Sequence, residues 1–428
     1  MKEKSHNTQM GNDNIKVPEG WKRVRLGEVL KYEQPTKYLV KNENYDKNSG
    51  IPVLTPGKTL ILGYTEEKFG IFENLPVIIF DDFTTESKYI NFPFKLKSSA
   101  IKILNAKNEE NNLYVAYNAL QILNFKPGSE HKRFWISEFS KFQILLPPLP
   151  EQRKIAEILE TVDRAIEKTD QIIEKYRRIK QGLMQDLLTR GIDENGKIRS
   201  EKTHKFKNSP LGRIPEEWEV VRLGEVAFVT KLAGFEYTKF FNYSLEGEII
   251  LIRALNIRDG KLDLSNTYTM PKDISVKLNR SKLDKNDIVI SYVGTVGECA
   301  IIPFDDKFHL APNVAKVSIR KNDLMPEFIL KYLLGFHGKR EINLIMSSTT
   351  QSALSMSNIR TIRVLLPPLP EQQRIAEILS QVDNTIEKEE AYKQKLERIK
   401  KGLMEDLLTG KVRVNHLITE NDVNVHQT

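Results

Sequence analysis

Asp81, Asp82, Glu86 and Lys88 come nearer to a catalytic set than any other residues of this sequence. Two acids and a Glu-x-Lys imitate the groups with which many nucleases hold Mg2+, where carboxylates polarise water and phosphate. All four stand in one short strand-and-loop segment, and that spacing favours a solvated loop or one that touches DNA. Pro56-Gly57-Lys58-Thr59 ends as a phosphate-binding loop does, but the motif needs a glycine five residues before Gly57, where Pro52 stands. Gly294 and Gly297 lack the first glycine of a dinucleotide-binding turn. The histidines (His6, His131, His204, His309, His337, His416 and His426) form no His-x3-His pair and read as structural or surface residues. Cys299 stands alone, which leaves neither an intramolecular disulfide nor a cysteine-built zinc site. No Asn-Pro-Pro-Tyr string of an amino-methyltransferase occurs. Neither catalysis nor a bound cofactor or metal is therefore expected of this chain.

Composition agrees with a binding protein. The 428 residues allow roughly three units of about 150 residues. With 40% hydrophobic and 29% charged residues the chain is expected to be globular and soluble. Met1 to Lys16 is polar, and no stretch approaches about 18 consecutive apolar residues, so a cytoplasmic protein with no membrane partner is expected. The net charge of +8 is compatible with an anionic partner without identifying one.

The elements that would position a site repeat themselves. Residues 145–190 align with 365–410 at an offset of 220, with 29 identities in 46 positions. Both copies open on Leu-Leu-Pro-Pro-Leu-Pro-Glu-Gln and share Ile-Ala-Glu-Ile-Leu, Val-Asp and Gly-Leu-Met. A second repeat precedes each block: Pro18-Glu19, Trp21 and Arg25-Leu26-Gly27-Glu28-Val29 recur at Pro215-Glu216, Trp218 and Arg222-Leu223-Gly224-Glu225-Val226, an offset of 197. The intervening stretch is 23 residues longer in the second half and is largely unrelated in sequence.

The repeated blocks read as long helices. Pro150 before Glu151 suits a first helical turn, where a missing N–H costs nothing and an acid meets the positive end. Ile155, Leu159, Val162, Ile166, Thr169, Ile173, Tyr176, Lys180, Leu183 and Leu187 then alternate spacings of four and three, which is a heptad seam. The second copy gives Ile375, Leu379, Val382 and Ile386, a polar middle at Glu389 and Lys393, then Leu396, Lys400, Leu403 and Leu407. Gly191 and Gly410 stand where C-terminal caps are expected. About 39 residues at 1.5 Å each make a rod of roughly 58 Å, longer than a small domain needs for its own core. The two seams are expected to pack on each other, antiparallel. Gly182 and Gly402 suggest either close helix approach or a local kink.

The variable stretches read as mixed α/β (α+β) domains. Pro76 to Phe80 and Asp287 to Ser291 are apolar runs of the kind found in buried strands, set among turn signals at Pro56-Gly57, Asp259-Gly260 and Gly294 to Gly297. The expected order is a polar tail (1–17), a first variable domain (18–146), a helix (147–190), a polar linker (191–214), a second variable domain (215–366), a helix (367–411) and a polar tail (412–428). The formal charge is +3 over 18–150 and +2 over 215–370, with almost none on the helices, so any positive face must come from the placement of charges.

Two variable domains alternating with two near-identical helical blocks, each introduced by Leu-Pro-Pro-Leu-Pro-Glu-Gln, closely resemble the specificity subunit of type I restriction-modification systems. The resemblance covers about residues 18–411. Ile252 to Ile257, Asp287 to Gly297 and Thr350 to Ser355 also look like this family's target-recognition domains. The resemblance implies that each variable domain reads one half of a split, asymmetric double-stranded DNA target, while the helices pair antiparallel as a spacer. It implies docking of two methyltransferase subunits carrying S-adenosylmethionine, and of restriction subunits with ATP- and Mg2+-dependent translocase and nuclease activity. The chain itself would be non-catalytic.

Base reading calls for side chains with donors and acceptors on loops. The candidates are Thr55, Lys58, Asp82 and Thr84 in the first domain, and Arg253, Asn256, Tyr292, Thr295, Asn313, Gln351 and Ser352 in the second. A stand-alone methyltransferase or nuclease, and a coiled-coil scaffold without a DNA role, are the competing classes.

Overall fold

A computed structural model describes residues 16–46, 49–57, 59–123, 125, 132–234, 244–347 and 353–419. The chain forms two compact units: the first runs to Asp170 and resumes at Ala391, and the second is Gln171–Glu390. Both boundaries fall inside long helices, Leu149–Leu187 and Leu369–Leu408, so each helix gives one half to each unit.

In the first unit the strands are β1 (Lys22–Arg25), β2 (Leu30–Glu33), β3 (Ile51–Leu54), β4 (Ile61–Thr65), β5 (Val77–Asp81), β6 (Ser87–Ile90), β7 (Lys95–Leu96), β8 (Ile101–Ala106) and β9 (Gln143–Leu146). They build a four-stranded sheet in the order β2-β8-β5-β6 and a three-stranded sheet in the order β4-β3-β7, in which β3 and β7 are parallel. β5 is apolar on both faces because it is covered on both. Val77 and Ile79 pack with Leu54 and Leu96 of the other sheet, while Ile78 and Phe80 pack on Ala116, Ala119 and Leu120 of the helix Leu113–Gln121 and on Trp135 and Phe139.

The second unit repeats this plan with β10 (Phe206–Ser209), β11 (Gly212–Pro215), β12 (Glu219–Arg222), β13 (Ala227–Lys231), β14 (Ile249–Ile252), β15 (Ile257–Arg258), β16 (Lys261–Leu262), β17 (Tyr268–Met270), β18 (Lys282–Leu283), β19 (Ile288–Ser291), β20 (Cys299–Ile301), β21 (Phe308–Leu310), β22 (Val314–Ile319) and β23 (Arg363–Leu366). Its sheets run β13-β22-β19-β20 and β17-β14-β21-β18, with β14 and β21 parallel. The helix Pro326–Leu334 takes the place of Leu113–Gln121. Most of the added length lies between β14 and β21, where the hairpin β15–β16 is inserted, and after Leu334, where the helix Phe336–Ser347 is inserted.

The two ends of each variable domain are tied together. β1 pairs antiparallel with β9, and β12 with β23, so each domain begins and ends on one ribbon that hands the chain to a long helix. The glycine of the repeated Arg-Leu-Gly-Glu-Val makes room for the neighbouring backbone and side chains. A Cβ on Gly27 would sit 3.0 Å from the Ser140 carbonyl oxygen, and one on Gly224 would sit 2.7 Å from the Arg360 Cβ.

The long helices pair antiparallel in both units. In the first, Ile155 and Leu159 pack with Leu403, Met404, Leu407 and Leu408, while Lys400 holds Asp163 and Lys393 holds Asp170, each at 2.7 Å. In the second, Leu187 lies in one core with Ile375 and Leu379, while Lys180 holds Asp383 at 2.6 Å and Arg177 holds Glu390 at 2.7 Å. In both, one number rises as the other falls. Gly191 and Gly410 take the left-handed conformation of C-caps, with φ of +65° and +70°. A Cβ on Gly182 or Gly402 would meet nothing within 4 Å, so neither marks a close approach.

One buried bracket docks each variable domain on its helices. In the first unit the Trp21 indole donates to Glu151 at 2.9 Å, and Arg413, from beyond the second long helix, donates to both carboxylate oxygens at 2.8 Å. Gln152 accepts from the Asn112 amide at 2.8 Å and donates to the Pro147 and Glu110 carbonyls at 2.9 and 3.0 Å. In the second unit the Trp218 indole donates to Glu371 at 3.0 Å, joined by Arg199 and by the Ile192 amide at 2.8 Å. Gln372 accepts from the Met325 amide at 2.9 Å and donates to the Pro367 and Asp323 carbonyls at 2.7 and 2.8 Å. Residues 191–214 are thus an ordered strap that carries Arg199 and ends in the hairpin β10–β11, although their composition reads as a linker.

Burial alone would raise the Glu151 carboxyl, but Arg413 and the Trp21 indole outweigh it and hold the group below its ordinary value. A depressed folded pKa stabilises above the unfolded value of about 4.3 and loses that effect as pH falls through the folded pKa. Glu151→Gln is expected to cost about 1.5–3 kcal/mol at pH 7. In chemical denaturation repeated down to pH 3.5, the gap to wild type should narrow; a gap independent of pH excludes the ionised bracket as its source.

Candidate nucleic-acid interface

In the second domain the candidate residues gather where the two sheets end together. β14 and β21 run parallel with Ile252 opposite Leu310, and the Ala311 amide donates to the Ile252 carbonyl at 3.0 Å. Arg253 therefore leaves β14 beside the segment that leads to Asn313. Tyr292 leaves β19 at the same end, its amide donating to the Asn313 carbonyl at 3.0 Å. Asn313 is exposed and holds φ at +71°, which turns the chain from β21 into β22. Thr295 is exposed on the turn between Gly294 and Gly297, both in the left-handed region. Burial pushes the Tyr292 hydroxyl up, outweighing the Asn313 backbone contact, so it stays a neutral donor. Lys58, Gln351 and Ser352 lie outside the described residues. Ala353, next to the last two, bridges to Val293 beside Tyr292.

Asn256 is buried and has a different task. Its side-chain oxygen accepts from the Arg253 amide and Nε, both at 3.2 Å, and its amide nitrogen donates to the Asp263 and Asn266 carbonyls at 2.8 and 2.9 Å. The Arg253 guanidinium also stacks 4.5 Å from the Tyr268 ring centroid and donates to the Asn266 carbonyl at 2.6 Å. Asn256 thus locks the turn that Arg253 begins, and the turn presents Leu255 with 81% of its surface exposed.

The first domain places its candidates at matching points. Thr55 follows β3 as Arg253 follows β14, and its amide donates to the Leu60 carbonyl at 3.0 Å. Asp82 follows β5 as Tyr292 follows β19, and its amide donates to the Ala100 carbonyl at 3.0 Å. Asp82 is fully buried, however: it accepts from the Trp135 amide at 2.7 Å and pairs with Lys102 at 3.4 Å, and Lys102 in turn donates to Gln34 at 3.0 Å. It supports the sheet end from beneath and cannot reach a base. Thr84 is exposed on the β5–β6 turn, which is closed by the Asp81 carboxylate accepting from the Phe83 and Thr84 amides at 2.9 and 3.0 Å. The nuclease-like quartet is accordingly divided: Asp81 caps a turn, Asp82 neutralises a buried lysine, and Lys88 faces Ile79 across the β5–β6 pair.

Sequence reasoning missed Gln34, which accepts from the Lys102 paired with Asp82, and Leu255, on the turn that Arg253 begins. Extending the 197 offset past Val29 would have paired Gln34 with Lys231, and the strand registers agree.

This repeated frame with unlike ends has a counterpart among known proteins. The sequence profile of the type I restriction modification DNA specificity domain matches residues 18–175 and 215–398. The chain belongs to that family. It is 28% identical over 419 residues to the type I restriction enzyme MjaVIII specificity subunit of Methanocaldococcus jannaschii, covering 94% of this chain and 95% of that one. It is 30% identical over 372 residues to the EcoR124I/EcoR124II specificity subunit of Escherichia coli, covering 84% and 85%. The fold matches the crystal structure of the S subunit of a type I restriction-modification system from M. genitalium with a TM-score of 0.60 at 17% identity, covering 93% of this chain and 98% of that one.

Two substitutions separate frame from surface within this specificity domain. Asn256→Ala should cost about 2–3 kcal/mol, since it strips a buried turn of four hydrogen bonds. Thr295→Ala should stay within about 0.5 kcal/mol of wild type and weaken DNA binding instead. Denaturation and DNA-affinity measurements on both variants check this, and equal stability losses would refute the division.

Proposed function

We propose that this chain is the non-catalytic address reader of a type I restriction-modification complex, with each variable domain reading one half of a bipartite, asymmetric DNA target. One observation carries the proposal: the domains share the order of one four-stranded sheet, the ribbon and the docking bracket, yet differ at the strand ends, where Asp82 and Tyr292 occupy one place. Equal frames with unequal tips suit two readers of unequal half-sites. Reading would use Thr55, Lys58 and Thr84 in the first domain and Arg253, Tyr292, Thr295, Asn313, Gln351 and Ser352 in the second, through base edges or groove shape. Asp82 and Asn256 would hold the tips from beneath.

The long helices would act as a ruler, because half-sites about 34–36 Å apart face one side of the duplex. Two methyltransferase subunits carrying S-adenosylmethionine would dock on this frame, and restriction subunits would bring ATP- and Mg2+-dependent translocation and cleavage. This chain would supply the DNA address in the cytoplasm.

Exchanging residues 18–143 for the first domain of another family member is expected to change one half-site only. Mapping methylated adenines before and after decides it, and simultaneous change of both halves refutes independent readers. Duplicating seven residues in one long helix adds about 10 Å of rise and should abolish methylation of the original site or alter its spacer. Unchanged methylation of that site would sink the ruler.

A further inference from the structure

The variable domains carry little net charge, yet in the second one four cations are collected along a single strand. Among the described residues β13 is an edge strand, hydrogen-bonded to β22 alone. Arg320 stacks with its guanidinium carbon 4.6 Å from the Phe228 ring centroid, Arg360 donates to the Val229 carbonyl at 2.7 Å, and Arg280 donates to the Thr230 hydroxyl at 2.8 Å. Lys231 ends the strand with its ammonium 5.2 Å from the Tyr292 ring centroid. Three cations from separate segments thus attach to three consecutive residues of β13, and the fourth is its last residue. All four are exposed, and among the described residues none is in a salt bridge.

Protecting an edge strand from stray pairing would account for the one guanidinium on a free carbonyl. It does not account for the other three, which attach to a ring, a hydroxyl and nothing hydrogen-bonded. From Phe228 to Lys231 the strand advances about 10 Å, the length over which one DNA strand presents about three phosphates. The line ends at Tyr292, beside the candidate reading tips. In the first domain the equivalent residues are Lys31, Tyr32, Glu33 and Gln34, and Glu33 accepts from the Tyr38 hydroxyl at 2.9 Å. Among the described residues no matching line of cations stands there.

We propose that Lys231, Arg280, Arg320 and Arg360 form a phosphate-binding ridge that seats the second domain on the DNA backbone, and that the first domain is seated without one. The inference rests on the reading of these domains as DNA binders. The test uses the full chain in complex with its methyltransferase subunits on a duplex containing its mapped methylation site, with affinity measured from about 50 to 200 mM salt. Lys231→Gln should lower the slope of log K against log salt by about 0.9, and the fourfold glutamine variant by roughly 3–4, with the methylated sequence unchanged. Arg280→Lys, Arg320→Lys and Arg360→Lys together should keep the wild-type slope, because phosphate is read here as charge. Among the described residues the Lys231 side chain makes no hydrogen bond, so its variant remains informative if the fourfold variant melts early. A wild-type slope in Lys231→Gln and in a folded fourfold variant overturns the ridge alone. A wild-type complex without salt-dependent DNA affinity overturns the DNA-reading assignment and the ridge with it.

Discussion

A carboxylate moved out of water is tolerated only where its charge and lone pairs are met, and Glu151 and Glu371 impose that requirement on everything around them. Each is buried at the first turn of a long helix and is satisfied by partners that no local segment could supply. The indole comes from the start of a variable domain and the guanidinium from the chain that has just left the other long helix. Three separate segments must therefore be in place before either carboxylate is affordable. That makes the bracket a specificity device: a shifted helix register would leave an acid, an arginine and an indole unpaired in the interior.

The neighbouring glutamines extend the same logic to the backbone. Gln152 and Gln372 each span the proline turn before their own helix and the residue that precedes the domain helix, Asn112 or Met325. What they recognise is main chain, so the side chains of the variable domain are free to change. The paired carboxylates one layer further along do use variable side chains. Asp163 receives Tyr114 and Lys400, while Asp383 receives Lys331 and Lys180. The lysine from the partner helix repeats, and the contribution from the variable domain is a phenol in one case and an ammonium in the other.

Legibility in the sequence followed the range of the interactions. The two long helices and their C-caps are set by spacing within a few residues, and they were readable because the 3.6-residue period and glycine's backbone freedom act locally. Buried strands such as β5 and β19 were readable from apolar runs for the same reason. Glu151 was read as an acid at a helix N-terminus, which is true of its position and silent on its main partners, since Arg413 is 262 residues away. Asp82 and Asn256 read as loop groups able to touch DNA. Their burial depends on Lys102 and Trp135 in one case and on Asn266 in the other, contacts that only the closed fold creates. The polar composition of 191–214 concealed a strap because the apolar residues it buries, Ile192, Leu211 and Ile214, are few and lie among polar ones in the sequence.

Internal repetition therefore points to the variable surface by its absence. Pro18-Glu19, Trp21, the Arg-Leu-Gly-Glu-Val turn and the Glu-Gln pair recur because each belongs to the frame, as tryptophan, close-packed glycine or bracket acid. Once the 197 offset runs into β2 and β13, identity stops while the strand register continues, and Glu33 and Gln34 stand where Thr230 and Lys231 do. A strand whose backbone partner is unchanged and whose side chains are unrelated is held by its register rather than by its residue types. In a protein built to hold two unlike surfaces on like supports, such strands are where partner-specific chemistry can vary without cost to the fold. Net charge hides this, because it sums the ridge with acids elsewhere on the domain, whereas register locates it.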